Sequence, residues 1–199
     1  MFSGIVQEIG IVKSIKSSNG ILNIEISCGV LGESTKDLKE GHSIAVNGCC
    51  QTAVEITQSS FIVQATEETL NKTNFKNFKV GSQVNLETPL KIGDKISGHM
   101  VSGHVDAACE ISEIISSGDN KIVKINFPKE LRSHIVSKGS ITVNGVSLTV
   151  VNSQNNSFSV CIIPYTFEHT NFKTIKPGSI VNIEFDILGK YISRLLPKG

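Results

Sequence analysis

The chain has 199 residues, 39% hydrophobic and 19% charged, and its nineteen Lys+Arg against eighteen Asp+Glu leave a net charge of +1. That balance argues against a nucleic-acid or membrane-surface protein, which carries a basic excess or patch. Only Arg132 and Arg194 are arginines, and there are two Tyr and no Trp, so bidentate phosphate clamps and base-stacking platforms are poorly supplied.

Met1–Gly10 has no basic start and no long apolar run and carries an acid at Glu8, so no signal peptide is expected. From there the apolar period is two. Segments 5–15, 21–27, 43–46, 52–56, 61–65 and 84–88 read as short strands rich in Val, Ile and Phe. A second set follows at 104–115, 122–127, 140–143, 147–151, 157–163 and 181–185. Asn-Gly at 47–48 and again at 144–145 marks tight turns, because both residue types tolerate positive φ. Segments 31–39 and 128–138 read as short helical crossovers. The tail 188–196 sets Leu188, Ile192, Leu195 and Leu196 on one stripe of a short helix, which Gly189 weakens by about 1 kcal/mol. No stretch approaches the ~18 consecutive apolar residues of a membrane span.

The two sets of strands are copies. Sliding the sequence on itself by 97 residues aligns Ser43–Glu87 with Ser140–Glu184, with 21 identities over 45 positions. VNG at 46–48 recurs at 143–145, TNFK at 73–76 recurs at 170–173, and GS-x-VN-x-E at 81–87 recurs at 178–184. Nearer the start the offset is 99, so that Ser3-Gly4-Ile5-Val6 aligns with Ser102-Gly103-His104-Val105. Units of about 90 residues are small domains rather than solenoid repeats. The expected organisation is all-β: two tandem homologous six-stranded barrels over 1–97 and 98–186, then a short C-terminal helix within 187–199.

The five cysteines are odd in number, Cys49 and Cys50 are adjacent, and no pair has CxxC spacing. That suits neither a disulfide framework nor structural zinc, and the reduced cytoplasm is the expected location. His99 and His104, five apart, resemble no metal pair, and on one strand they would face opposite sides.

MFSGIVQEIG at the amino end, NGCCQT at 47–52, GHMVSGHVD at 98–106 and NGVSLTVV at 144–151 together resemble the riboflavin synthase family. The likeness runs from residue 1 to about 196 and includes the duplication. It implies Greek-key topology in both barrels, a C-terminal helix that assembles a homotrimer, and active sites between subunits. The reaction it implies takes two molecules of 6,7-dimethyl-8-ribityllumazine, moves a four-carbon fragment between them and uses no cofactor or metal. Its products are riboflavin and 5-amino-6-(ribitylamino)uracil. An association with lumazine synthase is left open.

A duplicated barrel suits two identical reactants, since holding both in register removes up to ~7–11 kcal/mol of encounter cost. Donor and acceptor act differently, and the units differ where chemistry is expected: Cys50 aligns with Ser147, Ile5 with His104 and Pro89 with Asp186, while Thr52 and Thr149 are the same. Ser147 is either a strand-end hydroxyl bonded to backbone or, by the resemblance, a nucleophile or the partner of a nucleophilic water near C7. His104 is either a strand histidine or the base that Ser147 needs. Cys50 is either a small buried hydrophobe or a thiol assisting proton removal from the C7 methyl. Asp186 is an N-cap of the tail helix or a catalytic acid, and Thr149 completes the catalytic set.

The resemblance also implies binding residues. In the first barrel they are Gly4, Ile5 and Val6 beside Cys50, Gln51, Thr52, Gln64, Ala65 and Thr66. In the second they are Gly103, His104, Val105, Lys138, Ser147, Leu148 and Thr149 with Ile162, Ile163, Pro164, Tyr165, Thr166 and Phe167. Lys138 is otherwise a solvated loop cation. Gln51 departs from the leucine usual in the family and bears on affinity more than on reaction type. The alternative is a non-catalytic lumazine- or flavin-binding protein of the antenna type on the same barrels. A flavin-dependent oxidoreductase lacks its GxGxxG signature here.

Overall fold

Alternating side chains give every strand an inward apolar face, and in the computed structural model, which describes residues 1–28 and 38–195, those faces close two barrels. The first contains β1 (Glu8–Ser18), β2 (Ile21–Ser27), β3 (Ser43–Val46), β4 (Cys49–Ile56), β5 (Ser60–Ala65) and β6 (Gln83–Glu87) in the order β1-β2-β5-β4-β3-β6. The second contains β7 (Ala107–Ser117), β8 (Asn120–Asn126), β9 (Ser140–Val143), β10 (Val146–Ser153), β11 (Ser157–Ile162) and β12 (Ile180–Phe185) in the equivalent order. β6 returns to β1 and β12 to β7, so neither sheet leaves an edge.

Each interior is filled by matched residues. Ile24, Ile26, Phe61, Val63 and Val84 pack in the first barrel, and Val123, Ile125, Phe158, Val160 and Val181 stand at the equivalent places in the second. A fully buried side chain of this size contributes roughly 1.5–3 kcal/mol. The repeated TNFK motif supplies Phe75 and Phe172, each buried in the core of its own barrel by a short 3-10 turn.

Several local features differ from the pattern reading, and β4 begins three residues earlier than expected, at Cys49. β1 and β7 begin at Glu8 and Ala107, three residues later than expected, because the preceding segments leave their own barrel. Two six-residue helices, α1 (Glu67–Lys72) and α2 (Pro164–His169), follow β5 and β11; they are too short to show a helical period. The crossover expected at 128–138 is a 3-10 turn, Lys129–His134. The one expected at 31–39 lies almost wholly outside the described residues. The tail forms α3 (Ile187–Leu195) and leaves Leu188, Tyr191, Ile192 and Leu195 exposed.

Six buried asparagines join the barrels about a pseudo-twofold axis. The Asn74 amide donates to Asn182 Oδ1 (2.7 Å) and the Asn171 amide to Asn85 Oδ1 (2.7 Å). Asn85 Nδ2 crosses to the Asn144 carbonyl and Asn182 Nδ2 to the Asn47 carbonyl, both at 2.9 Å. Every one of these asparagines belongs to a repeated motif. A net hydrogen bond is worth only ~1 kcal/mol, whereas orphaning a buried partner costs ~1–3 kcal/mol, so the network specifies one docking. On the axis the two Asn-Gly turns stand back to back: a Cβ on Gly48 would lie 2.6 Å from the Gly145 amide nitrogen, and one on Gly145 2.7 Å from that of Gly48.

Candidate active site

The segments ahead of β1 and β7 exchange barrels. They run antiparallel to each other, with the Phe2 amide donating to the Val101 carbonyl (2.8 Å) and the His99 amide to the Ser3 carbonyl (3.1 Å). Val6 then packs against the second core and Val105 against the first. The Ser147 amide donates to the Gly4 carbonyl at 2.7 Å, and the Cys50 amide donates to the Gly103 carbonyl at 2.8 Å. The approach is so close that a Cβ on Gly4 would sit 2.7 Å from Ser147 Cβ, and one on Gly103 2.6 Å from Cys50 Cβ. Both glycines also hold positive φ, +76° and +81°. The sequence reading put Gly4, Ile5 and Val6 with Cys50, and Gly103, His104 and Val105 with Ser147. The structure reverses both groupings, because each segment pairs with the start of β10 or β4 in the opposite barrel, where Ser147 and Cys50 lie ahead of the first pairs to β11 and β5 at Val150 and Ala53.

On the second barrel, Ser147 and Thr149 point outward from β10, between inward-facing Val146 and Val150. Ser147 Oγ lies 2.7 Å from Nδ1 of His99, not of His104. Gly98 makes this possible, since a Cβ there would collide with the Ser3 carbonyl oxygen and lie 2.8 Å from Ser147 Oγ. Burial holds the His99 imidazole below its ordinary pKa, while the nearby Asp186 carboxylate pulls the other way. A neutral ring can accept the serine proton at Nδ1. Asp186 Oδ1 also caps α3, accepting from the Leu188 amide at 2.9 Å. The helix is tethered further by an ion pair between Lys190 and Asp106 at 2.7 Å.

On the first barrel, Cys50 is half-buried against Gly103, and Thr52 and Gln64 are exposed on the same outer wall. Exposed His104 belongs to this surface; its amide donates to Ser102 Oγ at 3.3 Å. Cys49 faces inward, and burial pushes its thiol up to about 12. Gln51 also turns inward, 8% exposed, donating to the Cys50 carbonyl at 2.8 Å and to Cys49 Sγ at 3.3 Å. It therefore buttresses the strand rather than lining the wall. A cavity of about 400 Å³ opens alongside, lined by His42, Ser43, Thr88 and Pro89 among others.

The remaining positions divide by face. Ala65 and Ile162 are wholly inside their cores, so only their backbone can meet a ligand. Leu148 and Phe167 pack partly against the second core. Ile163, Pro164 and Tyr165 are exposed, with Thr166 half-buried beside them. The Tyr165 ring stacks on His169 at 4.1 Å. Thr66 caps α1. Lys138 holds φ +67° where the first unit has Gly41 at +83°; a lysine kept in that region stores strain, which clusters at functional sites.

Sequence reasoning weighed His99 only as a metal ligand and passed over Glu87 and Glu184. The carboxylates were visible only as the last residue of the repeated VN-x-E motif. For His99 the signal was the GHM tripeptide, in which glycine precedes an imidazole at the point where the chain must pass close to another backbone.

Comparison with known proteins agrees with the two-barrel fold. The lumazine binding domain matches twice, at residues 3–89 and 102–186. The riboflavin synthase of Photobacterium phosphoreum is 40% identical over 196 residues, covering 98% of this chain and 89% of the relative. That of Bacillus subtilis is 38% identical over 199 residues, covering 100% and 91%. Among solved structures, LumP complexed with riboflavin superposes with a TM-score of 0.86 at 28% identity, covering 93% of this chain and 99% of that one. LumP complexed with 6,7-dimethyl-8-(1'-D-ribityl) lumazine gives 0.83. With its lumazine-binding domain present twice and its likeness to these enzymes running end to end, the chain belongs to the riboflavin synthase family.

Proposed function

We propose that the chain converts two molecules of 6,7-dimethyl-8-ribityllumazine into riboflavin and 5-amino-6-(ribitylamino)uracil by transfer of a four-carbon fragment. The observation that carries this reading is the Ser147–His99 pair beside Asp186, set on one of two related surfaces in a chain of this family. Neutral His99 takes a proton from Ser147 or from a water that Ser147 orients, which creates the nucleophile for C7 of one lumazine. The other surface, with Cys50 and His104, carries the second lumazine and receives the proton lost from its C7 methyl. Thr52 and Thr149 hydrogen-bond the two ring edges, and strained Lys138 reaches a ribityl chain.

Both surfaces are outer barrel walls, each closed on one side by a single crossed segment. A competent site forms when the first barrel of one copy faces the second barrel of another. The apolar face of α3, with Leu188, Ile192 and Leu195 exposed, supplies the contact that holds three copies together.

The test has two stages. Protein incubated with the dimethyl lumazine develops riboflavin absorbance; a stable bound chromophore without turnover supports the non-catalytic reading instead. Cys50→Ser and Ser147→Ala chains, each impaired alone, recover activity when mixed under exchange conditions. No recovery contradicts the intersubunit site.

A further inference from the structure

Buried carboxylates without a cationic partner are costly, and this chain keeps two of them at equivalent places. Glu87 ends β6 and is 4% exposed; Glu184 stands near the end of β12 and is 3% exposed. Among the described residues neither makes an ion pair, and Lys190 acts on Glu184 only as a more distant charge. Burial pushes both carboxyls above their ordinary pKa, against the pull of the hydrogen bonds they accept.

Those bonds all come from the crossed segments. Glu87 Oε1 accepts from the Ser3 amide (2.7 Å) and hydroxyl (2.8 Å), and Oε2 from the Gly4 amide (3.1 Å). Glu184 Oε1 accepts from the Ser102 amide (2.8 Å) and hydroxyl (2.6 Å), and Oε2 from the Gly103 amide (3.0 Å). Three converging donors need acceptors on both oxygens, which a carboxylate offers and a carboxamide does not.

We infer that Glu87 and Glu184 are crossed positioning residues: each is rooted in one barrel and fixes the wall of the reactive surface on the other. Glu87 belongs to the first barrel, yet the residues it clamps give their carbonyls to the second surface, Ser3 to the His99 amide and Gly4 to the Ser147 amide. Glu184 belongs to the second barrel, and Gly103 gives its carbonyl to the Cys50 amide. Ser102 Oγ donates to Glu184 while accepting from the His104 amide, so the imidazole of the first surface hangs from the same clamp. The two surfaces are thereby coupled within one chain through main-chain bonds, with no contact needed between their reactive side chains.

The geometry is independent of the reaction, whereas its consequence for turnover rests on the proposed function. The experiment therefore reads amide hydrogen exchange by NMR on the full chain, beside steady-state kinetics. In Glu87→Gln the carboxamide turns an NH2 toward a donor, and exchange at the Ser147 amide quickens about tenfold, roughly the worth of one weakened bond, while Cys50 is unchanged. Glu184→Gln gives the reverse. Ser3→Ala and Ser102→Ala each remove one bond to the glutamate, the latter also the one from the His104 amide, and shift the same amides less, which keeps the test open if a Gln variant does not fold. In both Gln variants kcat falls more than KM rises. The inference is overturned if each variant loosens the surface of its own barrel, if both amides quicken equally as for a general loss of stability, or if neither moves. Crossed exchange in a chain that shows no turnover would sink the proposed function and leave the clamp standing.

Discussion

The two reactive surfaces share a scaffold and differ in their reagents. Thr52 and Thr149, Glu87 and Glu184, the paired asparagines and the positive-φ glycines at 4 and 103 repeat from one barrel to the other. Where the first surface has a thiol with an exposed imidazole after Gly103, the second has a hydroxyl with a half-buried imidazole reaching it from residue 99. Position 5, equivalent to His104, is isoleucine, and His99 has no equivalent ahead of Gly4 that carries an imidazole. Duplication thus kept what places backbone atoms and changed the side chains to which the proposed function gives the proton transfers. The comparison also shows why the walls are crossed: each surface depends on a segment delivered by the other unit, so neither unit is a complete site.

The largest expected effect comes from removing the reagent found on one surface alone. His99→Ala and Ser147→Ala should each lower kcat about 10²–10⁴-fold, the range for a positioned acid–base group, which corresponds to about 3–5 kcal/mol of barrel-two chemistry. Because the two side chains act as one unit, the double variant should lose little more than either single one. His104→Ala in the Ser147→Ala background should keep its full separate effect. Steady-state kinetics of the cycle decide this, and additive losses for His99 and Ser147 would break the pairing.

The same imidazole sets a pH dependence. Its pKa in the folded chain lies below the ordinary value of about 6.5. In the window between those two values the unfolded chain binds more protons, so stability rises with pH and is lost as pH falls through it. The acid limb of kcat/KM should likewise lie below the position of an unperturbed histidine.

A substitution on the pseudo-twofold axis should touch both surfaces alike. Gly145→Ala combines a φ of +77° with a 2.7 Å approach to the Gly48 amide nitrogen. It should cost about 2–4 kcal/mol in thermal or denaturant unfolding and weaken ligand binding at both barrels. A loss confined to one barrel would mean that the surfaces are not coupled through the axis.

The smallest effect tests the one-sided tether of α3. Lys190→Ala removes a partly exposed ion pair with Asp106 and should cost under about 1 kcal/mol of stability, with the loss shrinking at high salt.

Much of this architecture is legible in the sequence, and the exceptions share a cause. The strands at 21–27, 43–46 and 140–143 follow from period-two patterning, and Cys50 and Ser147 stand out once the repeat is aligned. Thr52 and Thr149, outward in both units, follow from the same alternation. The crossing of residues 1–6 and 98–106 leaves no such trace, because a short extended segment reads the same whichever sheet it joins. Placing His99 and His104 on one strand therefore set them on opposite sides of a single wall, whereas the turn at Gly103 sends them to different barrels. Gln51 was misplaced for a simpler reason: alternation along β4 puts it inside with Cys49, and its polar side chain is satisfied there by the Cys50 carbonyl.

The claim that His99 serves Ser147 while His104 belongs to the other surface is tested most directly by side-chain 15N NMR of the histidines in the unmodified and Ser147→Ala chains. The His99 ring should titrate below about 6.5, and its resonances should move on loss of the hydroxyl, with His104 unmoved. A His104 ring that responds to Ser147→Ala while His99 does not would contradict the crossed arrangement.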